Sequence, residues 1–250
     1  MSVVWSCGGG VQSAAIAALI CRGDLPVPDA AVIADTGREA SETWRYHEGT
    51  MRPALARAGV KLERLPHAWA TVDLFGGAEG TTALMPMFTS QAGSPGQTRK
   101  YCSNEWKSRP VERYYRSLGL TGGTIWIGFS IDEYYRARSH DPQAKWNHTY
   151  PLIDRRLTRT DCVALVLRMG WPQPPRSSCW MCPYRSDAEW LHLKRTDPQD
   201  FEAAVALERD VRKIDPALFL HRSCKPLDSA ELGEAQGDLL DQCGSGMCFT

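Results

Sequence analysis

Short unbroken apolar runs alternate with stretches of helical periodicity through the first third of the chain. The runs are residues 2–5 (SVVW), 29–37 (DAAVIADTG) and 60–66 (VKLERLP). Between them lie 11–23 (VQSAAIAALICRG), closed by Gly23, and 40–59 (ASETWRYHEGTMRPALARAG), a long helix with a break expected near Pro53. Apolar runs without polar alternation suit strands covered on both faces. The order strand, helix, strand, helix, strand therefore predicts a doubly wound parallel sheet of the α/β class. A fourth strand is expected at 123–130 (GTIWIGFS). Further helices are expected at 103–119, at 158–170 between a Thr158 cap and a Gly170 stop, and at 197–215.

Two stretches depart from this pattern. Residues 72–99 are rich in Gly, Ser, Thr and Pro and read as a long mobile loop, of the kind that in compact domains is either functional or disordered. Residues 171–183 (WPQPPRSSCWMCP) are irregular, and 241–250 (DQCGSGMCFT) show no periodicity. The shift divides the chain into an α/β domain at 1–170 and a cysteine-rich C-terminal extension at 171–250.

Composition changes this picture in two ways. The 29 basic and 29 acidic residues cancel, so no global field recruits nucleic acid or a membrane, and any polyanion needs a local patch. No apolar stretch approaches a membrane span, and the first residues lack the basic and apolar regions of a secretory leader. The expected location is the cytoplasm. There, nine cysteines point to a metal or reactive sulfur rather than to disulfides. Cys21 and Cys162 lie in apolar helical patterns and read as small buried hydrophobes.

The stretch SCGGGVQS, Ser6 to Ser13, joins the first strand to the first helix. It is either a tight turn or an anion cradle. Glycines let backbone N–H groups approach a phosphate, and the helix N-terminus adds a favourable dipole. Ser6 and Ser13 add hydroxyl donors. It is neither a Walker motif nor the dinucleotide fingerprint. Asp35-Thr36-Gly37 falls at the end of the next strand, on the edge where doubly wound sheets bind ligands, which favours the cradle.

GGGVQS resembles the Ser-Gly-Gly-x-Asp-Ser loop of PP-loop ATP pyrophosphatases. DTGREASETWRY resembles a segment of phosphoadenosine phosphosulfate (PAPS) reductases, as do RKYCSNEWKSRPVERY, IGFSIDEYYRAR and YPLIDRRLTRTDC. CGSGMC is similar to the short cysteine tail of a phage and bacterial PAPS reductase-like branch. The resemblance runs from about residue 3 to the C-terminus. It implies the adenine nucleotide α-hydrolase fold and an adenine nucleotide, ATP or PAPS, held by Ser6, Gly8, Gly9, Gly10, Gln12, Ser13, Asp35, Thr36 and Gly128. The chain departs from the PP-loop pattern at Val11 and Gln12, which replace a lysine and an aspartate. That removes one phosphate-binding charge and one magnesium contact, and leaves ATP against PAPS open.

Cys179 and Cys182 form a Cys-x-x-Cys pair, compatible with zinc, an iron–sulfur cluster or a redox couple. The resemblance to iron–sulfur sulfonucleotide reductases implies a [4Fe–4S] cluster on Cys102, Cys179, Cys182 and a fourth cysteine. Cys243 is the first choice, with Cys248 and Cys224 as alternatives. The same resemblance gives Cys248 the part of a catalytic thiol and keeps Lys107 and Arg136 as catalytic-site cations suited to a phosphate or sulfate. Other arginines, Arg99, Arg109, Arg138 and Arg159 among them, are either subsite or solvated surface. Asp132 and Glu133 suit either Mg2+ or a helix cap. Trp106, Trp180 and Trp190 suit either base stacking or the core.

Three functions stay open, the first two implied by the resemblance and the third favoured by the departures at Val11 and Gln12. The first is sulfur transfer with ATP pyrophosphatase-type activation of an acceptor, as in nucleic-acid thiolation or DNA phosphorothioation. The second is reduction of PAPS to sulfite. The third is a zinc-stabilised nucleotide-binding module without catalysis. Implied partners are the nucleotide, a cysteine desulfurase or thioredoxin, a nucleic-acid acceptor and a second copy in a homodimer, with no membrane.

Overall fold

The computed structural model describes residues 2–76, 82–90 and 96–234. The chain divides into two compact units, Met1–Trp69 with Ser108–Ser177, and Ala70–Lys107 with Ser178–Thr250. The expected division leaves Ala70–Lys107 in the first domain, whereas here it belongs with the C-terminal unit. A linear reading could not assign an insertion whose partners lie a hundred residues away.

In the first unit, β1 (Ser2–Cys7), α1 (Val11–Cys21), β2 (Ala30–Ala34), α2 (Ser41–Tyr46), α3 (Arg52–Arg57) and β3 (Leu62–Leu65) follow in order. The insertion adds short strands β4 (Phe75–Gly76), β5 (Thr82–Ala83), β6 (Phe88–Thr89) and β7 (Gly96–Gln97) to the second unit. The first unit resumes with α4 (Arg109–Ser117), β8 (Gly123–Ile127), β9 (Trp146–Thr149), α5 (Pro151–Asp154) and α6 (Arg159–Arg168). The second closes with α7 (Asp187–Thr196), α8 (Pro198–Ile214) and β10 (Leu218–Phe219).

Among the described residues the main sheet has five parallel strands in the order β3-β2-β1-β8-β9. This is the expected doubly wound α/β arrangement. The order reverses between β1 and β8, so the crevice outside their carboxyl ends is the topological switch point. β1 lies at the centre, with Val4 and Trp5 wholly buried. Helix α1 packs under it and buries nearly every residue, Ala14 to Ala18 completely. β9 is the strand the apolar pattern does not predict. Its sequence WNHT is polar and each residue is only half-buried, as an edge strand permits.

The long helix expected over 40–59 is α2 and α3 joined by a π turn at His47–Met51. The cause is Pro53, which has no N–H to donate and whose ring crowds the carbonyl four residues back, so the backbone widens just before it. A second π turn, Asn104–Ser108, precedes Pro110 in the same way.

The second unit has a different core. Met85, Met87, Met181, Trp106 and Trp190 are at most 2% exposed and pack with residues of α7, α8 and β10. Glu208 on α8 is buried among them. Its two oxygens accept the Leu220 and Leu227 N–H groups at 2.7 Å each, pinning the chain after β10. Helix α7 starts with a capping box formed by Ser186 and Glu189, and α6 in the first unit does so with Thr158 and Asp161. No helix among the described residues is long and apolar enough to cross a membrane.

Candidate functional site

β1 ends at Cys7 and α1 begins at Val11, leaving Gly8, Gly9 and Gly10 to make the turn. Gly9 has φ 76°, and a side chain there would meet Thr43 Cγ2 at 3.0 Å and Ile33 Cδ1 at 3.1 Å. A Cβ on Gly10 would lie 3.1 Å from that of Ser177. The glycines are thus required by backbone shape and by close neighbours. The Gly8 N–H donates to Ser13 Oγ at 2.8 Å, and the Ser177 hydroxyl donates to the Gly8 carbonyl. Helix α1 has no side-chain cap and no acidic residue in its first turn. Its first N–H groups carry the uncompensated positive end of the helix dipole. Ser6 lies inside β1, one residue before its end, and is half-buried. Burial pushes the adjacent Cys7 thiol up to about 11, which favours the protonated, packed form of that sulfur.

The β8 side of the switch point faces this loop. Gly128 follows β8, and a Cβ there would come within 3.3 Å of Gln12 Cβ. Gln12 Nε2 donates to Glu133 at 2.8 Å, while Arg159 Nη1 reaches Gln12 Oε1 at 3.4 Å. Glu133 also holds Arg136 Nη1. Arg136 has a side chain only 4% exposed, and its guanidinium lies 4.3 Å from the Phe129 ring centre. Among the described residues Arg136 Nε and Nη2 are buried without a hydrogen-bond partner, as is Ser130 Oγ. Asp132 accepts the Arg159 backbone N–H at the start of α6. Of the two roles the sequence allows these acids, Asp132 takes the helix cap. Glu133 instead braces Gln12 and Arg136.

On the other flank, Asp35 follows β2. One of its oxygens accepts the Gly37 N–H at 2.7 Å, and the other takes Arg64 Nε at 2.9 Å and Nη2 at 2.6 Å. The Arg64 guanidinium covers the Trp44 ring at 3.7 Å. Thr36 is fully buried, its hydroxyl accepting the Arg38 N–H at 3.2 Å. The sequence pattern singles out neither Arg64 nor Ser177. Arg64 sits in an ordinary strand, and Ser177 in an irregular proline-rich run, so neither carries a local signal.

Comparisons with known proteins stand beside this geometry. No family model matches the chain, and no curated protein does. Solved structures do. The chain is similar to the PAPS reductase from Candida auris in a phosphate complex, at 12% identity and a TM-score of 0.43, covering 72% of this chain and 82% of that one. It is also similar to the U34-tRNA thiolase NcsA from Methanococcus maripaludis with its [4Fe-4S] cluster, at 11% identity and a TM-score of 0.45, covering 98% and 80%.

The predicted metal ligands Cys102, Cys179 and Cys182 all belong to the second unit. Cys102 opens the turn before Pro110, its N–H donating to Leu84 O at 2.8 Å, and Cys102 and Cys179 pack on the same apolar cluster. The Cys182 N–H bonds back to the Cys179 carbonyl at 3.1 Å, closing a tight turn. Among the described residues no three His, Cys, Asp or Glu side chains gather as a metal-holding group. Cys243 and Cys248 lie outside the described residues. Lys107 is half-buried in the second unit, whereas Arg136 belongs to the first. Trp106 and Trp190 are core residues, and Trp106 Nε1 donates to the Val72 and Asp73 carbonyls at 3.0 Å.

Proposed function

We propose that this chain is a PP-loop enzyme of the adenine nucleotide α-hydrolase type that binds a nucleotide through its phosphates and serves sulfur transfer. The observation that carries the reading is Arg136, a buried guanidinium with two nitrogens unpartnered, on the switch-point flank facing an uncapped helix N-terminus. Buried polar groups are otherwise almost always satisfied, and Glu133 meets only one nitrogen of this guanidinium, so its two remaining nitrogens beside a dipole of the same sign suit an anion. Loop N–H groups and Arg136 would hold the phosphates. When an acceptor oxygen attacks the α-phosphorus of ATP, the same donors meet the charge that grows on the leaving pyrophosphate. Gln12 keeps the loop neutral where the PP-loop pattern has an acid, and Glu133 fixes its orientation.

The finer part of the reading is a [4Fe–4S] cluster on Cys102, Cys179, Cys182 and Cys243. Its support is that three sulfur donors share one compact unit. The described residues do not by themselves fit such a group, since no three ligands gather among them. No chemical step is therefore assigned to it.

The test is calorimetric titration with ATP, paired with pyrophosphate release in the presence of candidate acceptors. Arg136→Met is expected to weaken binding by at least tenfold, on the order of one lost charge-assisted contact. Unchanged affinity in that variant sinks the phosphate role of the site. Uncharged Val11 and Gln12 favour a second reading, PAPS as the ligand, whose readout is sulfite release.

A further inference from the structure

The turn Ile131–Arg136, after β8, faces two ways. The side chains of Glu133 and Arg136 are buried and pair with each other. Tyr134 and Tyr135 between them are 65% and 74% exposed, more than any other large apolar side chain among the described residues. Neither ring has a stacking partner, nor its hydroxyl a hydrogen bond, among those residues. Two adjacent aromatic rings left in water forgo the burial that such side chains ordinarily bring.

The turn is braced along its length. The Glu133 N–H donates to the Ser130 carbonyl and the Ile131 N–H to the Leu157 carbonyl, each at 2.9 Å. The Ala137 N–H closes on the Tyr134 carbonyl at 3.0 Å. Beyond it, the Arg138 N–H donates to the Tyr150 hydroxyl at 2.7 Å, and the Tyr150 ring stacks on Phe129 with centroids 5.6 Å apart. The two rings therefore project from a fixed backbone, and a tyrosine has only two side-chain torsions to freeze. Tyr134 to His140 reads YYRARSH, without an acid. Arg138, His140 and Lys145 are exposed, and the Arg138 guanidinium makes no hydrogen bond or ion pair among the described residues. Two exposed acids nearby are committed, Asp132 to the Arg159 N–H and Asp141 to the Gln143 N–H. No exposed Leu, Ile, Val or Phe lies within 131–160.

We infer that Tyr134 and Tyr135, flanked by Arg138, form a stacking surface for unpaired bases of a single-stranded nucleic acid, which serves as the acceptor; the acceptor role rests on the sulfur-transfer function proposed above. Bases of any sequence stack on exposed rings, and cations beside the rings meet the backbone phosphates. The core of a protein interface calls for an apolar surround, whereas this one is polar and cationic. The chain has no net charge, so a polyanion needs a local patch of this kind. Tyr135 is bonded to Arg136, so their Cα atoms lie about 3.8 Å apart. A base seated on the rings brings its strand to the turn whose Arg136 meets the nucleotide phosphates.

The probes are fluorescein-labelled single strands of about 12 nucleotides, oligodeoxythymidine and oligouridine, read by fluorescence anisotropy with the full chain; this length covers one stacking site and its flanks. Tyr134→Ala and Tyr135→Ala should each weaken binding about fivefold or more, the scale of one stacked base lost. The Phe variants keep the rings and should bind as the unsubstituted chain does. Arg138→Ala should weaken both strands and lower the slope of log affinity against log salt by roughly 0.7, one phosphate contact on a single strand. A DNA duplex of the same length hides its base faces and should bind more weakly. Calorimetric titration with ATP in the two Ala variants should match the unsubstituted chain, which shows the fold intact. Failure of both strands to bind, a duplex bound as tightly as a strand, or affinity unmoved by both Ala variants overturns the stacking surface, the first in favour of a protein partner. ATP binding then keeps the nucleotide site standing. If the strands bind and ATP does not, the nucleotide reading falls and takes the acceptor role with it.

Discussion

The core of the first unit is mostly Ala, Val, Ile and Leu laid on a parallel sheet, with Trp5, Tyr115 and Met51 wholly buried among them, whereas Met, Trp, Phe and Leu dominate that of the second, gathered by two helices and two-residue strands. In the first, backbone pairing sets the geometry, and mostly aliphatic side chains fill the space beneath around a few large ones. In the second, large and soft side chains set it, since methionine adapts to irregular gaps and aromatic rings bring most of the buried area. One unit therefore places groups at a sheet edge with little freedom. The other depends on a few bulky residues to hold its cysteine turn and its long helix. Substitutions in each unit put this contrast to the test.

The largest effect is expected from Trp190→Ala. Trp190 is wholly buried on α7 and meets Phe201 edge-on at 6.4 Å. Loss of a buried Trp costs about 3–5 kcal/mol. Hydrogen exchange should show protection falling across α7 and α8 while β1 and β2 keep theirs; an even loss over both units would erase the contrast. Next comes Gly9→Ala. A left-handed conformation costs an L-residue about 1–2 kcal/mol, and the crowding by Thr43 and Ile33 adds to it. Denaturant melting should report that loss in the first unit, and calorimetry should find nucleotide binding reduced more than stability accounts for.

The two capping boxes offer a matched pair. Thr158→Ala in the first unit and Ser186→Ala in the second each remove one side-chain cap, worth about 1 kcal/mol. Local exchange rates should change in α6 for one and in α7 for the other. Equal spread of either effect through the chain would argue against two cooperative units.

The smallest effect is a pair of opposed pH slopes. His47 in the first unit has no exposure, and burial holds its imidazole below the usual range, opposed by Glu48. The fold prefers the neutral ring. Its contribution is present above the ordinary imidazole pKa and is lost as pH falls through the lowered value. Burial holds the Glu208 carboxyl in the second unit above its usual range, against the pull of the two N–H groups it accepts. That contribution is full below the ordinary carboxylate pKa and is lost as pH rises through the raised value. His47→Gln should flatten only the acid-side slope of exchange in α2, and Glu208→Gln only the slope at higher pH in α8. Parallel slopes in both variants would show that neither residue governs its unit.

The contrast also explains what could be read from the chain. The parallel sheet is legible because β1, β2 and β8 are apolar runs, and the glycine loop because three glycines between a strand and a helix have few other uses. β9 is not, because an edge strand with half-buried Asn147 and His148 carries no apolar run. Helix α7 escapes the apolar pattern although Ser186 and Glu189 spell its capping box. The small strands of the insertion have two residues each, too few for any period. At the site, Gly8–Ser13 and Asp35 are within reach of local pattern, and Arg136 only through the resemblance. The partners that give them meaning, Ser177 on Gly8, Arg64 on Asp35 and Glu133 on Gln12, come from distant sequence and only the fold unites them.

The π turn before Pro53 has a consequence for how the helix divides its labour. A widened turn takes up one residue more than an α turn, which rotates everything after it by about 100° relative to what precedes it. Thr43 before the turn borders the glycine loop, and Leu55 after it lies wholly buried in the core. The turn acts as a phase shifter between the two faces. Deleting a single residue within 47–51 would let an α turn replace the wide one with both contacts kept, whereas inserting one would re-time the helix and swing one of them out of alignment, so the length of this segment is itself a determinant of the loop's surroundings.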